Sequence, residues 1–272
     1  MTRLSGLLNN EPARAGIVAR TFWHMIQDEV LADTPSFSEG DIFYVPAMGG
    51  YDLFKVLKVD PIGGGSICHV LRYQRVDEVP KLEEVDSMEV SLMHTPIVAS
   101  GFPGAQVLGR AAIKASDLRG YHAYLQMMAD DDVILEAKDR YAEVAFQLRL
   151  HGRFAEEAEE WSKIIDLDPG IAAPFYNRAT ALIQLQRCEE AIEDLETFLS
   201  LSPDAVEGLI ALGECYLESK DFGRARASFE KAVSLAPDND QAKTLLNETS
   251  RIITKNNSFD GNKTQSSQPD HS

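Results

Sequence analysis

The sequence predicts an α+β protein: a small, mostly antiparallel, barrel-like sheet domain, then an α-helical solenoid of about three repeats and a cap helix. Three observations carry this reading. Pro169, Pro203 and Pro237 stand 34 residues apart, each followed by Gly or Asp, and apolar residues recur at helical spacing between them. Upstream, the stretch from Phe37 to Tyr73 breaks into short β-branched and aromatic runs separated by glycines, the pattern of strands joined by turns. The polar stretch from Asn256, NNSFDGNKTQSSQPDHS, has too few apolar residues to join a core.

In chain order, residues 1–35 are expected to form a helical segment, with Ile17, Phe22, Ile26 and Val30 near helical spacing. Residues 36–128 form the sheet domain. Strands are expected at Ile42–Val45, Leu53–Val59 and Ser66–Tyr73, with shorter ones at Glu89–His94 and Gln106–Ile113. The breaks between the first three are Gly49-Gly50 and the run from Pro61 to Gly65. A helix over Asp117–Met128 follows. Asp130, Asp131 and Asp132 then form a junction, because carboxylates favour a helix N-terminus. Residues 131–251 are the repeats with their cap, and 252–272 a disordered tail.

The repeats can be registered residue by residue. Leu212, Gly213, Tyr216, Ala225, Phe229, Ala232 and Pro237 are matched 34 residues earlier by Arg178, Ala179, Leu182, Ala191, Leu195, Phe198 and Pro203. Another such step reaches Val144, Ala145, Leu148, Glu157, Trp161, Ile164 and Pro169. Small residues meet small where two antiparallel helices approach closely, and large apolar residues fill the gaps they leave. Each proline ends a second helix and begins the next unit. Two positions are out of character. Arg178 stands where an apolar residue belongs, and Glu157 stands in a small slot beside Ala158, so the first copy's second helix is expected to start one residue out of register.

These residues, over Lys138–Arg251, resemble the tetratricopeptide repeat, a 34-residue helix–turn–helix unit. The resemblance implies stacked hairpins whose first helices line a groove for a peptide or protein partner. By position, the first copy would supply Asp139, Ala142, Glu143, Phe146 and Arg149. The second would supply Ala173, Tyr176, Asn177, Thr180 and Ile183, and the third Glu207, Ile210, Ala211, Glu214 and Leu217. The family's clamp of Lys, Asn and Arg for a peptide's terminal carboxylate is met here only by Asn177. Its basic positions hold Ala142, Glu207 and Ala211. The segment Lys138–Arg251 counts 13 basic and 22 acidic residues, net −9, so the ligand expected is basic or mixed apolar–basic.

A second resemblance concerns the sheet domain. Gly40, Asp41, Pro46, Val56 and Leu57, within EGDIFYVP…YDLFKVLKV, are similar to the opening of immunity protein 26-type domains. This implies a toxin-neutralising binding domain without catalysis, the repeats then being accessory.

Composition narrows the rest. The 272 residues have room for two cores. The 26 Lys+Arg against 43 Asp+Glu give a net charge of −17, which opposes binding to nucleic acid or to an anionic membrane. No apolar run approaches the roughly 18 residues of a membrane-spanning helix. The first residues, MTRLSGLLNNEPARAG, hold no apolar core of an export signal, so a cytoplasmic chain is expected. Cys68, Cys188 and Cys215 have no CxxC spacing and read as reduced thiols.

Enzyme readings find little support. Gly63-Gly64-Gly65 lacks the Lys-Ser/Thr of a phosphate loop and reads as a hairpin loop. A hydrolase using Cys68 and His94 is the remaining alternative, although Cys68 and its neighbour His69 must point to opposite faces of a strand. The six histidines are scattered without metal-ligand spacing. No cofactor, metal or catalytic group is expected, and Trp23 and Trp161 read as helix packing.

Overall fold

The computed structural model describes residues 35–62 and 65–265. The expected N-terminal helix with Ile17, Phe22, Trp23, Ile26 and Val30, and the pair Gly63-Gly64, lie outside the described residues. The chain divides into two compact units, Met1–Asp139 and Arg140–Ser272.

The first unit is built on β1 (Asp41–Ala47), β2 (Gly50–Ile62), β3 (Gly65–Tyr73), β4 (Val90–Val98) and β5 (Gln106–Arg110). These form one antiparallel sheet in the order β4-β3-β2-β1-β5. The sheet is open, with β4 and β5 at its edges, so the barrel-like expectation is corrected. Five short strands with tight hairpins have two ends left over unless β4 and β5 also pair, and they do not. Period-two alternation gives the sheet two dry faces. One holds Phe43, Phe54, Val56, Cys68 and Val70, closed over by Phe37, Ala99 and Phe102. The other carries Lys55 and His69 and is covered by helix α1 (Ala115–Met128). Lys55 is fully buried there, and its Nζ donates to Asp117 Oδ2 and to the Ala112 carbonyl, both at 2.7 Å.

The Gly40-Asp41 pair has a local explanation. Gly40 adopts φ +85, and a Cβ on it would lie 2.6 Å from the Ala111 carbonyl oxygen, so only glycine fits. The Asp41 carboxylate accepts from the Ser38 amide at 2.7 Å and from Arg110 Nε at 2.9 Å, fixing the entry to β1.

The second unit contains the repeats. Helix α2 (Asp131–Leu150) crosses the unit boundary, and α3 (Phe154–Leu167), α4 (Ala172–Gln184), α5 (Cys188–Leu201), α6 (Val206–Glu218), α7 (Phe222–Leu235) and α8 (Asp240–Gln265) follow. The bounds of α3, α5 and α7 repeat at an interval of 34, as do those of α4 and α6. Each second helix stops at a leucine two residues before Pro169, Pro203 or Pro237. The turns inside the hairpins repeat as well. Gly152, Gln186 and Lys220 all take positive φ, at 69, 59 and 60.

Two expectations are corrected here, and two cysteines are placed. Helix α3 is in register with α5 and α7, so Glu157 truly occupies the small slot of Ala191 and Ala225. Cys215 is 1% exposed in the core with Ala179, Leu195 and Phe229, while Cys188 is only half-buried against that cluster. Helix α8 continues through the polar stretch as far as Gln265, because a helix already nucleated on packed turns propagates without apolar residues; residues 266–272 lie outside the described residues.

Charge is placed with the same period. Arg178, the misfit of the second copy, makes a two-pronged pair with Asp194 at 2.8 and 2.6 Å and donates to Ser162 Oγ at 2.9 Å. At the start of each second helix an i,i+3 ion pair recurs: Arg153–Glu156, Arg187–Glu190, and, with the signs exchanged, Asp221–Arg224.

Candidate peptide-binding face

The first helices α2, α4 and α6 present equivalent positions, and the candidate contact residues are distributed over them. On α2, Asp139, Glu143 and Phe146 are exposed. Glu143 accepts from Gln147 Nε2 at 3.0 Å, and Phe146 lies edge-on to Trp161 with ring centres 5.3 Å apart. On α4, Tyr176, Asn177 and Thr180 are half-buried. On α6, Glu207 and Glu214 are exposed, but Ile210 is 7% exposed and packs with Leu209, Ala232 and Ala242. Ile210 is therefore core, a correction to its expected place on the groove. Ala242 of the cap helix α8 belongs to the same buried cluster.

The structure brings part of this set together. Arg149 donates through Nη2 to Thr180 Oγ1 at 2.7 Å and to the Asn177 carbonyl at 3.3 Å, tying α2 to α4. Its Nε donates to Glu157 Oε1 at 2.7 Å, and the same oxygen accepts from Trp161 Nε1 at 3.1 Å. Tyr176 stacks near Phe198, ring centres 5.1 Å apart. Its phenol is pushed above its ordinary pKa by burial, then by the negative charge of Glu207, with Glu214 acting the same way and Arg149 opposing. Glu214, with its side chain against α8, is raised by burial, while a 3.4 Å hydrogen bond from Gln241 Nε2 pulls the other way. Tyr176, Glu207, Glu214 and Arg149 thus share one electrostatic neighbourhood. Glu143 adds an exposed carboxylate on α2.

Two members of this network were invisible as a pair in the sequence. Arg149 stands where Ile183 and Leu217 stand in the other copies, and Glu157 where Ala191 and Ala225 stand. The first copy breaks the repeat twice, and the two departures pair with each other.

The first unit holds a cluster that sequence spacing also hid. His69 Nδ1 lies 2.9 Å from His94 Nε2, and His69 Nε2 lies 3.0 Å from Asp60 Oδ2. Tyr121 and Tyr124 of α1 cover both rings. Histidines 25 residues apart meet because β3 and β4 pair with His69 opposite Pro96, two residues from His94. The same geometry corrects the Cys68/His94 hydrolase alternative. Cys68 lies on the opposite sheet face among phenylalanines, and burial pushes its thiol up to about 11, whereas His94 is engaged with His69. Among the described residues no group of three His, Cys, Asp or Glu side chains is arranged to hold a metal ion. No helix among them is long and apolar enough to cross a membrane.

A series of helical hairpins with a fixed period of 34 defines a helical-repeat domain. The family model described as "Tetratricopeptide repeat" matches residues 176–240. Over 95 residues the chain is 36% identical to Hsp70-Hsp90 organizing protein of Triticum aestivum, covering 35% of this chain and 16% of that protein. Over 107 residues it is 32% identical to peptidyl-prolyl cis-trans isomerase FKBP4 of Homo sapiens, covering 39% and 22%. The chain thus spans less than a quarter of the length of these relatives. Among solved structures, the first TPR of Spaghetti (RPAP3) bound to the HSP90 peptide SRMEEVD matches with a TM-score of 0.42 at 20% identity, covering 44% of this chain and 94% of that one. The Sgt2 TPR domain of Aspergillus fumigatus matches at 0.42 and 19%, covering 50% and 86%.

Proposed function

We propose that the protein is a non-enzymatic interaction scaffold whose repeats hold a basic or mixed apolar–basic peptide segment of a protein partner. The observation that carries this is the charge of the first helices: Glu207 and Glu214 are exposed on α6 and act on Tyr176, and Glu143 is exposed on α2 with Phe146. Arg149, the single cation among the candidate contact residues, is already paired with Glu157. Such a face attracts lysine and arginine and repels an acidic tail. The carboxylate-binding arrangement of the family finds Ala142, Glu207 and Ala211 where it needs cations, so a terminal carboxylate has no anchor here. The cytoplasm is the compartment that accords with free thiols at Cys68, Cys188 and Cys215. A toxin-neutralising role for the first unit rests on the short motifs that hold Gly40, Asp41, Pro46, Val56 and Leu57, and of these Gly40 and Asp41 already have a structural task in positioning β1.

The test is titration of a labelled basic peptide into the full chain, with Glu207→Lys and Glu214→Lys combined as the variant. Affinity is expected to fall by about tenfold or more, with weaker salt dependence in the variant. Unchanged binding of the basic peptide would sink the proposal.

A further inference from the structure

We infer that Glu157 sets the charge selectivity of the first-helix face by holding Arg149 neutralised: the buried carboxylate withdraws from any ligand the one cation among the candidate contact residues. This rests on the reading that the face receives a peptide, and it adds which residue decides the peptide's charge.

The geometry makes Glu157 more than another surface acid. Its side chain is 0% exposed, whereas the side chain of Arg149 keeps 37% of its surface in solvent. One carboxylate oxygen takes all the contacts, from Arg149 and from Trp161 Nε1, and Oε2 has no hydrogen-bond partner. A buried carboxylate is costly unless it is paired, and the Arg149 guanidinium beside it is in contact as a counter-ion. Thr180 and the Asn177 carbonyl complete the guanidinium's acceptors and fix its place between α2 and α4. A free arginine at this place would be a forked anion receptor facing the ligand. Paired with Glu157, it contributes no net charge, and the acidic residues Glu143, Glu207 and Glu214 dominate. The small residue that the other copies carry in this slot, Ala191 and Ala225, is fully buried in both, so the fold tolerates alanine there.

The experiment compares two labelled probes on the full chain at low ionic strength by fluorescence anisotropy. One is a short Lys/Leu peptide with an amidated C-terminus, the other a short Glu/Leu peptide with a free C-terminal carboxylate. The variants are Glu157→Gln, which keeps the shape, and Glu157→Ala, which installs the sister residue, each also with Arg149→Ala. Helical circular dichroism establishes that each is folded, and either single variant suffices for the comparison. Releasing Arg149 is expected to raise affinity for the acidic probe by about five- to tenfold and lower that for the basic probe by a similar factor. Adding Arg149→Ala should abolish the gain, which loosening of α3 alone would not do. If the wild type holds the basic probe but no Glu157 variant shifts the preference, this inference fails and the proposed function stands. If the wild type ignores the basic probe while Glu157→Gln gains the acidic one, the proposed function fails and this inference stands. Binding of neither probe by any variant overturns both.

Discussion

The close approach of α6 and α7 at Gly213 can be turned into a quantitative test of the repeat packing. A Cβ added at Gly213 would lie 2.4, 2.6 and 2.9 Å from Cε1, Cζ and Cδ1 of Phe229. Ordinary carbon contacts are about 3.5–4.0 Å, so the ring would have to retreat by about 1 Å. Phe229 is 0% exposed in the core of Leu195, Tyr216 and Ala225, so its retreat presses on that core. Overpacking of this kind costs about 1–3 kcal/mol. Against it, alanine in a helix interior gains about 1 kcal/mol over glycine. Gly213→Ala should therefore destabilise by about 1 kcal/mol, read by urea unfolding followed at the helical circular-dichroism band. The neighbouring copy shows the compensated solution, with Ala179 and Leu195 in the same two slots. Gly213→Ala combined with Phe229→Leu should then be more stable than the sum of the single changes by about 1–2 kcal/mol. If Gly213→Ala is neutral or stabilising, and the pair is additive within about 0.5 kcal/mol, small-against-large packing is not what holds the repeat.

Three further outcomes are expected. Lys220→Gly should stabilise the second unit by about 0.5–1 kcal/mol, because Lys220 holds a positive φ of 60 in a turn where the first copy uses Gly152; a loss of stability would show that the lysine side chain matters more than its backbone. His94 is held down to about 4 from 6.5, first by burial and then by the charge of His69. The unfolded chain therefore takes up a proton that the folded one refuses, and stability present above pH 6.5 should be lost as pH falls toward 4. The shift corresponds to about 3 kcal/mol, which screening at a half-buried ring reduces to about 1–2 kcal/mol, and His94→Gln should flatten that part of the pH profile. Finally, burial pushes Cys215 up to about 12 and Cys68 to about 11, so iodoacetamide on the native chain at pH 8 should modify Cys188 first; equal labelling of all three would contradict the packed core around Cys215.

What could be read from the sequence divides by the range of the interaction. The interval of 34 is a local regularity, and Pro169, Pro203 and Pro237, with Gly213, Ala179 and Ala145, made the repeated helical hairpins legible, although not the register of α3. The strands were legible because Ile42–Val45 and Ser66–Tyr73 alternate against turn residues. Whether the sheet closes was not, since closure depends on pairing between β4 and β5 at opposite ends of the domain. The Asp60–His69–His94 chain was hidden for the same reason: it needs the registers of β2, β3 and β4 together. Glu157 shows a different limit. Read singly it looked like a slipped register; only its partner Arg149, itself a departure from Ile183 and Leu217, explains it as a buried charge with a counter-ion. Ile210 was placed on the groove by position alone, and the cap helix buried it through Ala242. The left-handed turns at Gln186 and Lys220 gave no signal because neither is glycine.

The most direct test of the binding face is an amide chemical-shift map of the isotopically labelled full chain titrated with the basic Lys/Leu peptide. The account predicts saturable shifts concentrated on α4 and α6, around Tyr176, Thr180, Glu207 and Glu214, with little change along α5 and α7. Shifts confined to the second helices or to the sheet of the first unit, or none at saturating peptide, would contradict it.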